Sequence, residues 1–364
     1  MMITNIRLQN FRNYQDESIK FRPGTNILMG DNGQGKTNVI EGIYYLLTGK
    51  SYRVQREQEL LRWDQSEFHL HGDFLLSNHK VSLESHYRDK KKMVKVNQVP
   101  CQRLSDFVGT INVIFFSPDD LVMIKGGPSE RRRFLDLHIA QMRPGHVSLL
   151  NAYNKVVQQK SALLKSFVEK SLKYSQLQLW NEQMIKFGEK IIRNRVELTK
   201  RLQVAADHIY GDLTSQKETL KVTYIALGHQ NIDEAISEFP QLLNDKLEQE
   251  IERQMVLIGP HRDEVQILLD DKPARLYASQ GQQRSIVLSL KLAELELIRQ
   301  EKGEYPLLLL DDVLSELDFF RREYLMSFIE SSCIQTLITM TSAETHFESG
   351  SLYYVEKGHI RRKR

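Results

Sequence analysis

Apolar and polar residues alternate along the first part of the chain, a pattern that predicts β-strands with one buried face. Residues 3–11 and 19–21 show this alternation, and the apolar run TNILMG at 25–30 predicts a third strand. Between 67 and 100, three alternating segments are separated by the turn-like stretches SNH and RDKK, which predicts a β-meander. INVIFF, at 111–116, is apolar except at Asn112 and predicts a buried strand.

Helical spacing of three, four or seven residues replaces this alternation in the middle of the chain. Earlier, TNVIEGIYYLLTG from Thr37 predicts a buried helix that ends at Gly49. After Gly-Gly-Pro at 126–128, strand signals disappear between about Ser129 and Leu213. Two helical stripes are present: Leu149, Tyr153, Val156, Leu163 and Phe167, and then Trp180, Met184, Phe187, Ile191, Leu198, Leu202, Ala205 and Ile209. The break KSLKYSQ at 170–176 predicts the tip of an antiparallel hairpin. A protruding arm and an ordinary packed core both agree with the pattern.

Strand and helix signals alternate in the last third of the chain, which predicts a parallel sheet. Strands are predicted at EVQILL, PARLYA, YPLLLLDD, TLITMTS and SLYYVE, and helices at QQRSIVLSLKLAELELIRQ and FFRREYLMSFIE. We therefore predict an α/β fold with three segments. Residues 1–125 and 251–364 form a head with a mixed sheet and a β-meander, and residues 126–250 form an inserted α-helical arm.

Composition bears mainly on the cellular compartment. The 364 residues carry a formal net charge of +3, which is too small an excess to identify a partner. Cys101 and Cys333 stand in unrelated contexts, so neither a disulfide framework nor a zinc site is expected. No apolar run approaches the length of a membrane span, and the N-terminus has no apolar signal core. We therefore expect a cytoplasmic protein without a membrane partner.

A glycine-rich motif lies between a predicted strand and a predicted helix. GDNGQGKT at 30–37 matches G-x-x-x-x-G-K-[ST] in full. Its glycines let backbone N–H groups converge on an anion, and the helix start adds a positive dipole end. Lys36 supplies a charge for the phosphates of ATP, and Thr37 supplies a hydroxyl for Mg²⁺. The candidate cofactor-binding residues here are Gly30, Asp31, Asn32, Gly33, Gln34, Gly35, Lys36, Thr37 and Asn38. A tight strand-to-helix turn is the structural alternative.

Two acids end the apolar strand LLLLDD. Ligands in open α/β sheets gather outside the carboxyl ends of strands, so these acids are candidates for the same site as the glycine-rich motif. Asp311 is the candidate magnesium ligand together with Thr37, and Asp312 is the candidate base that polarises the attacking water. With Lys36, these two acids form the candidate catalytic set. The structural alternative is that one acid caps the following turn.

A polar corner, SQGQQRS at 279–285, precedes a predicted helix and the acidic strand. This order of motifs, completed by LSELD, resembles the ATP-binding-cassette ATPases. The resemblance implies that Ser279, Gly281 and Gln282 contact the γ-phosphate held by a second subunit, so that ATP joins a homodimer. It also implies that Ser315–Asp318 meets the partner subunit. The structural alternative is a Ser279 helix cap with ordinary polar neighbours.

Further motifs narrow the resemblance to the chromosome-maintenance and DNA-repair branch of these ATPases. LQNFRNYQD, GDNGQGKTN, FFSPDDL, KGGPSERRRFLD, GPHRDE, SQGQQR and LLLLDDVLSELD together resemble the RecF family of bacterial recombination mediators. The family implies an ATPase head with a helical lobe, ATP-driven dimerisation, slow hydrolysis and DNA binding. It also implies action with RecR and RecO in loading RecA at single-strand gaps, in recombination, replication and the SOS response. Arg12 and Asn13 would then lie beside the nucleotide.

The sequence departs from the wider ATPase family at three places. Asp312 replaces the usual glutamate base, and its shorter side chain leads us to expect slow turnover. Thr341 and Ser342 stand where many relatives have a histidine. After INVIFF the chain has SPDD, Ser117 to Asp120, instead of a glutamine, which leaves the roles of Ser117 and Asp119 open.

Basic clusters are the candidate DNA contacts, although each is also consistent with a solvated charge run. They are Arg88 with Lys90–Lys92, then Arg131–Arg133, and Arg361–Arg364 at the end. Three consecutive residues at a helix start point to different faces, so at least one of Arg131–Arg133 is expected to be structural. Binding to single-stranded, gapped or double-stranded DNA through phosphates, without sequence reading, is expected.

The sequence pattern favours an ATP-gated clamp on DNA, and two other functions are alternatives to it. A transport ATPase subunit is disfavoured by the helical insert, the missing histidine and the basic tail. A non-catalytic module, in which ATP only holds a dimer together, agrees with the same motifs and is the alternative.

Overall fold

The computed structural model describes residues 1–77, 79–143, 145–165, 170–341 and 350–363, and within these the side chains of 104 and 170–174 are left out. The chain forms two compact units. The first contains Met1–Asp120 and Glu294–Arg364, and the second contains Leu121–Ala293. The predicted limits of head and arm, 1–125, 126–250 and 251–364, stay a prediction about folding units.

The strands are β1 (Met2–Phe11), β2 (Tyr14–Lys20), β3 (Thr25–Met29), β4 (Glu67–Leu75), β5 (Lys80–Arg88), β6 (Lys91–Val96), β7 (Val99–Cys101), β8 (Val113–Phe116), β9 (Leu220–Ile225), β10 (Glu264–Leu269), β11 (Lys272–Pro273), β12 (Leu307–Asp311), β13 (Thr336–Met340), β14 (Ser351–Glu356) and β15 (His359–Arg362). The helices are α1 (Lys36–Thr48), α2 (Val122–Lys125), α3 (Pro128–Met142), α4 (Gly145–Lys165), α5 (Lys170–Thr214), α6 (Ile232–Asp245), α7 (Leu247–Arg253), α8 (Ala274–Tyr277), α9 (Gln280–Lys302) and α10 (Phe319–Ser331).

The first unit has two sheets. One is antiparallel, in the order β2-β1-β4-β5-β6-β7, and contains the predicted meander. The other has the order β15-β14-β3-β13-β12-β8, in which β14, β3, β13, β12 and β8 are parallel and β15 is an antiparallel edge. Because β13 lies between β3 and β12, the carboxyl ends of β3 and β12 share one sheet edge about 10 Å apart.

Helix α1 joins the two sheets through a common apolar core. Its buried residues include Val39, Ile43 and Leu46, which belong to one cluster with apolar side chains of both sheets. A Cβ at Gly42 would lie 2.8 Å from Leu8 Cδ2, so glycine permits the close approach of α1 to β1. The helix ends at Gly49, whose φ of 73° gives the left-handed conformation typical of a C-terminal cap.

The second unit packs the predicted helical stripes against each other. Tyr153 and Val156 of α4 and Met184 and Ile191 of α5 are buried in one cluster with residues of α6 and α7. An ordinary packed core therefore describes the stripes within this unit. The unit also contains an antiparallel sheet in the order β11-β10-β9.

Two local predictions were wrong. PARLYA was predicted as a strand, but only Lys272–Pro273 is extended and Ala274–Tyr277 is helical. Pro273 has no N–H to extend the ladder with β10, and its ring favours the first turn of a helix. KSLKYSQ was predicted as a hairpin tip, but it lies within α5 from Lys170 onward. Phe167 of the first stripe lies outside the described residues.

An ion-pair network in the second unit assembles two of the motifs found in the sequence. Arg195, which is 4% exposed, donates two hydrogen bonds to the Asp136 carboxylate at 2.8 and 2.7 Å and one to the Pro260 carbonyl at 2.6 Å. Arg131 pairs with Glu264 in the same way, at 2.8 and 2.9 Å. KGGPSERRRFLD and GPHRDE are thus joined by buried charges. The expectation that one of Arg131–Arg133 is structural is confirmed.

The Asp136–Arg195 pair predicts a strong effect on stability. Replacing Asp136→Ala leaves the buried Arg195 guanidinium uncompensated, and we expect a loss of about 3–5 kcal/mol in the free energy of unfolding. Burial alone would raise the pKa of the Asp136 carboxyl, but Arg195 and His146 hold it below its ordinary value. This stabilisation is therefore complete at neutral pH and is lost as the pH falls below about 4.

Denaturant unfolding at several pH values measures the effect. Asp16→Ala is the matched control, because the Asp16–Arg7 pair is largely exposed and should contribute little. Equal losses in the two variants would show that the buried network does not stabilise the unit.

Candidate functional site

The glycine-rich motif forms a loop between β3 and α1. Gly33 and Gly35 have φ values of 78° and 120°, in the region that favours glycine. A Cβ at Gly35 would lie 2.7 Å from Asn13 Nδ2 and 2.7 Å from the Tyr14 hydroxyl. The loop leads directly into the first turn of α1 at Lys36, where unpaired N–H groups favour an anion.

Both ends of the chain hold this loop in place. Asn13 Nδ2 donates to the Gln34 carbonyl at 2.9 Å, and the Tyr14 hydroxyl donates to the Gly35 carbonyl at 2.9 Å. From the other end, Lys357 N–H donates to Gln34 Oε1 at 2.7 Å. Asn13 therefore lies against the loop. These contacts link the loop to segments from both ends of the chain.

Arg12 contacts α1. Its guanidinium donates to both carboxylate oxygens of Glu41 at 2.8 and 2.7 Å and to the Glu59 carbonyl at 2.7 Å. Glu41 is fully buried and also accepts from the Ser51 hydroxyl at 2.6 Å and from Arg53 at 3.3 Å. The expected place of Arg12 beside a nucleotide stays a prediction. Glu41 was missed, although a charged residue inside a buried helix signals a paired partner.

The Lys36 side chain folds back onto the start of the loop. Its Nζ donates to the Gly30 carbonyl at 2.5 Å and to the Asp31 carbonyl at 2.8 Å. Burial lowers the pKa of Lys36, whereas the charges of Asp312, Asp31 and Asp311 oppose that shift. The ammonium group thus lies against two carbonyls of the loop, and its contact with phosphate stays a prediction.

Asp311 gathers hydroxyl groups from three elements. Thr37 at the start of α1 donates to Asp311 Oδ1 at 2.9 Å, and Thr339 on β13 donates to the same oxygen at 2.8 Å. The Tyr52 hydroxyl donates to Oδ2 at 3.2 Å. The predicted pair Thr37 and Asp311 is therefore adjacent, whereas Thr339 and Tyr52 were missed. Burial raises the pKa of Asp311 against the lowering effect of these hydrogen bonds.

Asp312 has a different environment from Asp311. Its side chain is exposed, and its φ of 54° is unusual for a residue other than glycine. Its N–H donates to Thr339 Oγ1 at 2.9 Å, and its carbonyl accepts from the Ser315 hydroxyl at 2.8 Å. One acid of the pair is thus buried and the other is open to water. The division into magnesium ligand and base stays a prediction.

The oxygen donors at this edge fit magnesium. One carboxylate and one hydroxyl are hard ligands, and Mg²⁺ usually takes one or two protein carboxylates together with phosphates and waters. Across the part of the chain that the structure describes, no group of three or more His, Cys, Asp or Glu side chains is placed to hold a metal ion. Thr37 and Asp311 therefore suit a metal that a phosphate ligand completes.

Ser279 lies in the second unit and forms a reciprocal cap at the start of α9. Its hydroxyl accepts from Gln282 N–H at 3.2 Å, and Gln282 Oε1 accepts from Ser279 N–H at 2.7 Å. Gln282 Nε2 also donates to Glu218 at 2.6 Å. This is the capping box of a helix N-terminus, formed by S-Q-G-Q. The contact of Ser279, Gly281 and Gln282 with a partner's nucleotide stays a prediction.

Other predicted residues are distributed more widely. Ser117 N–H donates to Asp120 at 2.7 Å, and Asp318 caps α10. Thr341 is exposed, whereas Ser342 and Arg364 lie outside the described residues.

Burial lowers the pKa of Lys92 to about 8. Its ammonium contacts the Gly49 carbonyl, which makes Lys92 a poor DNA contact.

No helix in the described ranges is long and apolar enough to cross a membrane.

Comparisons with known proteins agree with this geometry. A family model described as the RecF/RecN/SMC N terminal domain matches residues 2–361. The chain is 62% identical over 364 residues to the DNA replication and repair protein RecF of Desulfitobacterium hafniense, covering 100% of both chains. It is 39% identical over 371 residues to the protein of the same description from Halalkalibacterium halodurans, again covering 100% of both.

Solved structures show the same fold. A structure described as the recombination mediator protein RecF-ATP in the RecFOR pathway matches with a TM-score of 0.92 at 30% identity, covering 100% of this chain and 97% of that one. An SmcHead bound to the C-winged helix domain of ScpA matches with a TM-score of 0.60 at 15% identity, covering 100% and 97%, which shows the fold alone. The predicted ATP-binding-cassette head with a helical insertion is confirmed.

The raised pKa of Asp311 predicts that the ionised carboxylate, which a metal ligand requires, lowers the stability of the fold. A carboxyl whose pKa is raised by folding stabilises the fold when protonated, and this contribution is lost as the pH rises through the folded pKa. At pH 7 the buried charge therefore costs stability. We expect Asp311→Asn to raise the free energy of unfolding by on the order of 1 kcal/mol.

Thermal or denaturant unfolding at pH 7 and at progressively lower pH measures this difference, which should shrink as the pH falls through the folded pKa of Asp311. Asp312→Asn is the matched control, because its exposed carboxylate should change stability little. A less stable Asp311→Asn variant at pH 7 would contradict the prediction.

Proposed function

The chain belongs to the RecF family within the RecF/RecN/SMC group, and from this membership we propose that it is an ATP-dependent recombination mediator in DNA repair and replication. The observation that carries the nucleotide-binding part of the proposal is the 2.9 Å hydrogen bond between Thr37 and Asp311 beside the phosphate loop. This bond joins the two halves of a nucleotide site that are 274 residues apart in sequence.

The loop residues bind and orient the nucleotide in this proposal. Backbone N–H groups of 30–37 and the Lys36 ammonium bind the phosphates of ATP. Thr37 and Asp311 hold Mg²⁺, which neutralises phosphate charge when bound. Arg12, Asn13 and Asn38 lie around the nucleotide. Asn38 Nδ2 already donates to Asn13 Oδ1 at 2.8 Å, which supports a single polar rim.

Hydrolysis is assigned to Asp312. Its exposed carboxylate accepts a proton from a water molecule whose oxygen bonds to the γ-phosphorus, while the bond from phosphorus to the ADP oxygen breaks. The aspartate side chain is one methylene shorter than the usual glutamate. A base that holds water less favourably gives slow turnover, so this is a weak ATPase.

ATP-driven dimerisation is the second part of the proposal. Ser279, Gly281 and Gln282 present a helix N-terminus to the γ-phosphate of a second copy, and Ser315–Asp318 meets that copy. The dimer binds DNA without reading its sequence and acts with RecR and RecO to load RecA at single-strand gaps. The expected location is the cytoplasm, at the nucleoid.

The capping box at Ser279 allows a sharp test of dimerisation. Asn and Asp both cap helices as well as Ser does, so Ser279→Asn and Ser279→Asp preserve the cap. Only the aspartate adds a negative charge, which would repel a partner's γ-phosphate. We expect ATP to double the molar mass of wild type and of Ser279→Asn, but not that of Ser279→Asp.

Light scattering with no nucleotide, with ADP and with ATP measures the mass. If Ser279→Asp dimerises with ATP as wild type does, the corner is only a helix cap. If wild type itself stays monomeric, ATP does not join two copies.

The role of Asp312 separates a catalytic clamp from a non-catalytic module. In a clamp, Asp312→Asn keeps ATP-driven dimerisation and lowers ATP turnover by about a hundredfold or more. Phosphate release and molar mass are measured on the same samples. Lys36→Ala, which should lose both properties, is the comparison.

If wild type dimerises with ATP but releases no phosphate, the non-catalytic module is the better description. Asp312→Asn should then change neither the molar mass with ATP nor phosphate release.

A further inference from the structure

A groove with a volume of about 630 Å³ lies in the first unit, beside the edge of the parallel sheet. Its lining includes Lys20 at the end of β2, Arg22 before β3 and Arg362 at the end of β15. The phosphate loop follows β3, whereas Arg22 precedes it. Since β3 has five residues, about 17 Å of strand separates the groove entrance from Gly30. The groove is therefore distinct from the nucleotide site.

The three cations of the groove have no acidic partners. Within the ranges that the structure describes, Lys20, Arg22 and Arg362 make no ion pair. The neighbouring carboxylate of Glu17 is already engaged, because it accepts from Ile360 N–H at 3.3 Å and contacts His359. Three exposed positive charges without an ion pair among the described residues thus line one groove, where an anionic ligand would be attracted.

The two arginines line the groove close enough to Tyr353 to act electrostatically on its hydroxyl. Burial raises the pKa of the Tyr353 hydroxyl, while Arg362 and Arg22 act on it in the opposite direction. Both guanidinium groups thus influence one lining residue of the groove, although Arg22 and Arg362 are 340 positions apart in sequence.

Side-chain hydrogen bonds hold the groove rim rigid. Asn26 Oδ1 accepts from Arg22 N–H at 2.9 Å, and Asn26 Nδ2 donates to the Arg22 carbonyl at 2.8 Å. Gln335 Nε2 donates to the same carbonyl at 2.8 Å, and the Tyr353 hydroxyl donates to the Lys20 carbonyl at 2.8 Å. Only backbone atoms of Lys20 and Arg22 take part. The cationic side chains are therefore presented on a fixed frame, which lowers the cost of binding.

The groove presents three cations but no exposed aromatic ring. Among its apolar lining residues, Ile19, Phe21 and Tyr353 are 3%, 6% and 2% exposed and Ile360 is partly exposed, so the groove offers no stacking platform for bases. Lys and Arg without such contacts are typical of phosphate recognition. We propose that Lys20, Arg22 and Arg362 bind the phosphodiester backbone of DNA without reading its sequence. This inference rests on the proposed function, which requires DNA binding.

A charge-reversal variant tests the groove. Lys20→Glu, Arg22→Glu and Arg362→Glu are combined in one variant, and binding to a fluorescein-labelled duplex is measured by anisotropy with ATP at several salt concentrations. We expect affinity to fall by about a hundredfold or more. The slope of log affinity against log salt should become shallower by about three, one for each lost phosphate contact. A second variant with alanine at the three positions should show the same slope with a smaller loss.

The matched control carries the same change in net charge elsewhere. Lys155→Glu, Lys200→Glu and Lys217→Glu reverse three exposed lysines of the second unit. This control should lose affinity by less than about threefold, because only long-range attraction is reduced. ATP-dependent molar mass, measured on all variants, should stay as in wild type and reports that the first unit is folded.

The possible outcomes separate a failure of the groove inference from a failure of the proposed function. If wild type binds DNA and the reversed and alanine variants bind with the same affinity and slope, the groove inference is overturned and the proposed function stands. If wild type does not bind the duplex even at low salt, the proposed DNA function fails and the groove inference fails with it. Unchanged DNA binding with lost binding of polyglutamate would assign the groove to an acidic protein and would also overturn the inference.

Discussion

The Asp311 carboxylate is the constraint on which the nucleotide site depends. It is buried at the carboxyl edge of the parallel sheet, and it accepts hydroxyl groups from α1, from β13 and from the segment after α1. Each donor satisfies part of a buried charge that would otherwise be costly. The same contacts fix the start of α1 relative to β12, so the loop and the acid pair have one relative geometry. Asp311 thus affects both the stability of the fold and the geometry of the site.

Local periodicity predicts much of this arrangement. The loop at 30–37 and the acids after LLLLDD can be found because each motif is contiguous and its flanking strand and helix have clear periods. Thr339 could not be assigned, because its contact depends on the parallel register that pairs it with Asp311. Tyr52 has no signal in its neighbourhood. PARLYA was misread because apolar alternation over so few residues does not outweigh one proline.

The second unit shows a different use of buried charge. Arg195, Asp136 and the Pro260 carbonyl join α3, α5 and the segment before β10 in one hydrogen-bonded group. Removing one partner is costly, although such a group contributes little net stability compared with apolar packing. Its geometry instead restricts how the elements pack. Arg131, which stands in a basic run of the sequence, is in this way buried and paired with Glu264.

The contact between Gln34 and Lys357 has a consequence for synthesis on the ribosome. Strand β3 pairs with β13 and β14, and Gln34 is held by a residue 323 positions later. At roughly 5–20 residues per second, tens of seconds separate the translation of these partners. During that interval the apolar faces of β3 and α1 lack their final neighbours and are open to aggregation or to a chaperone. A product that terminates before β14 would therefore lack one neighbour of β3 and the Lys357 contact of the phosphate loop.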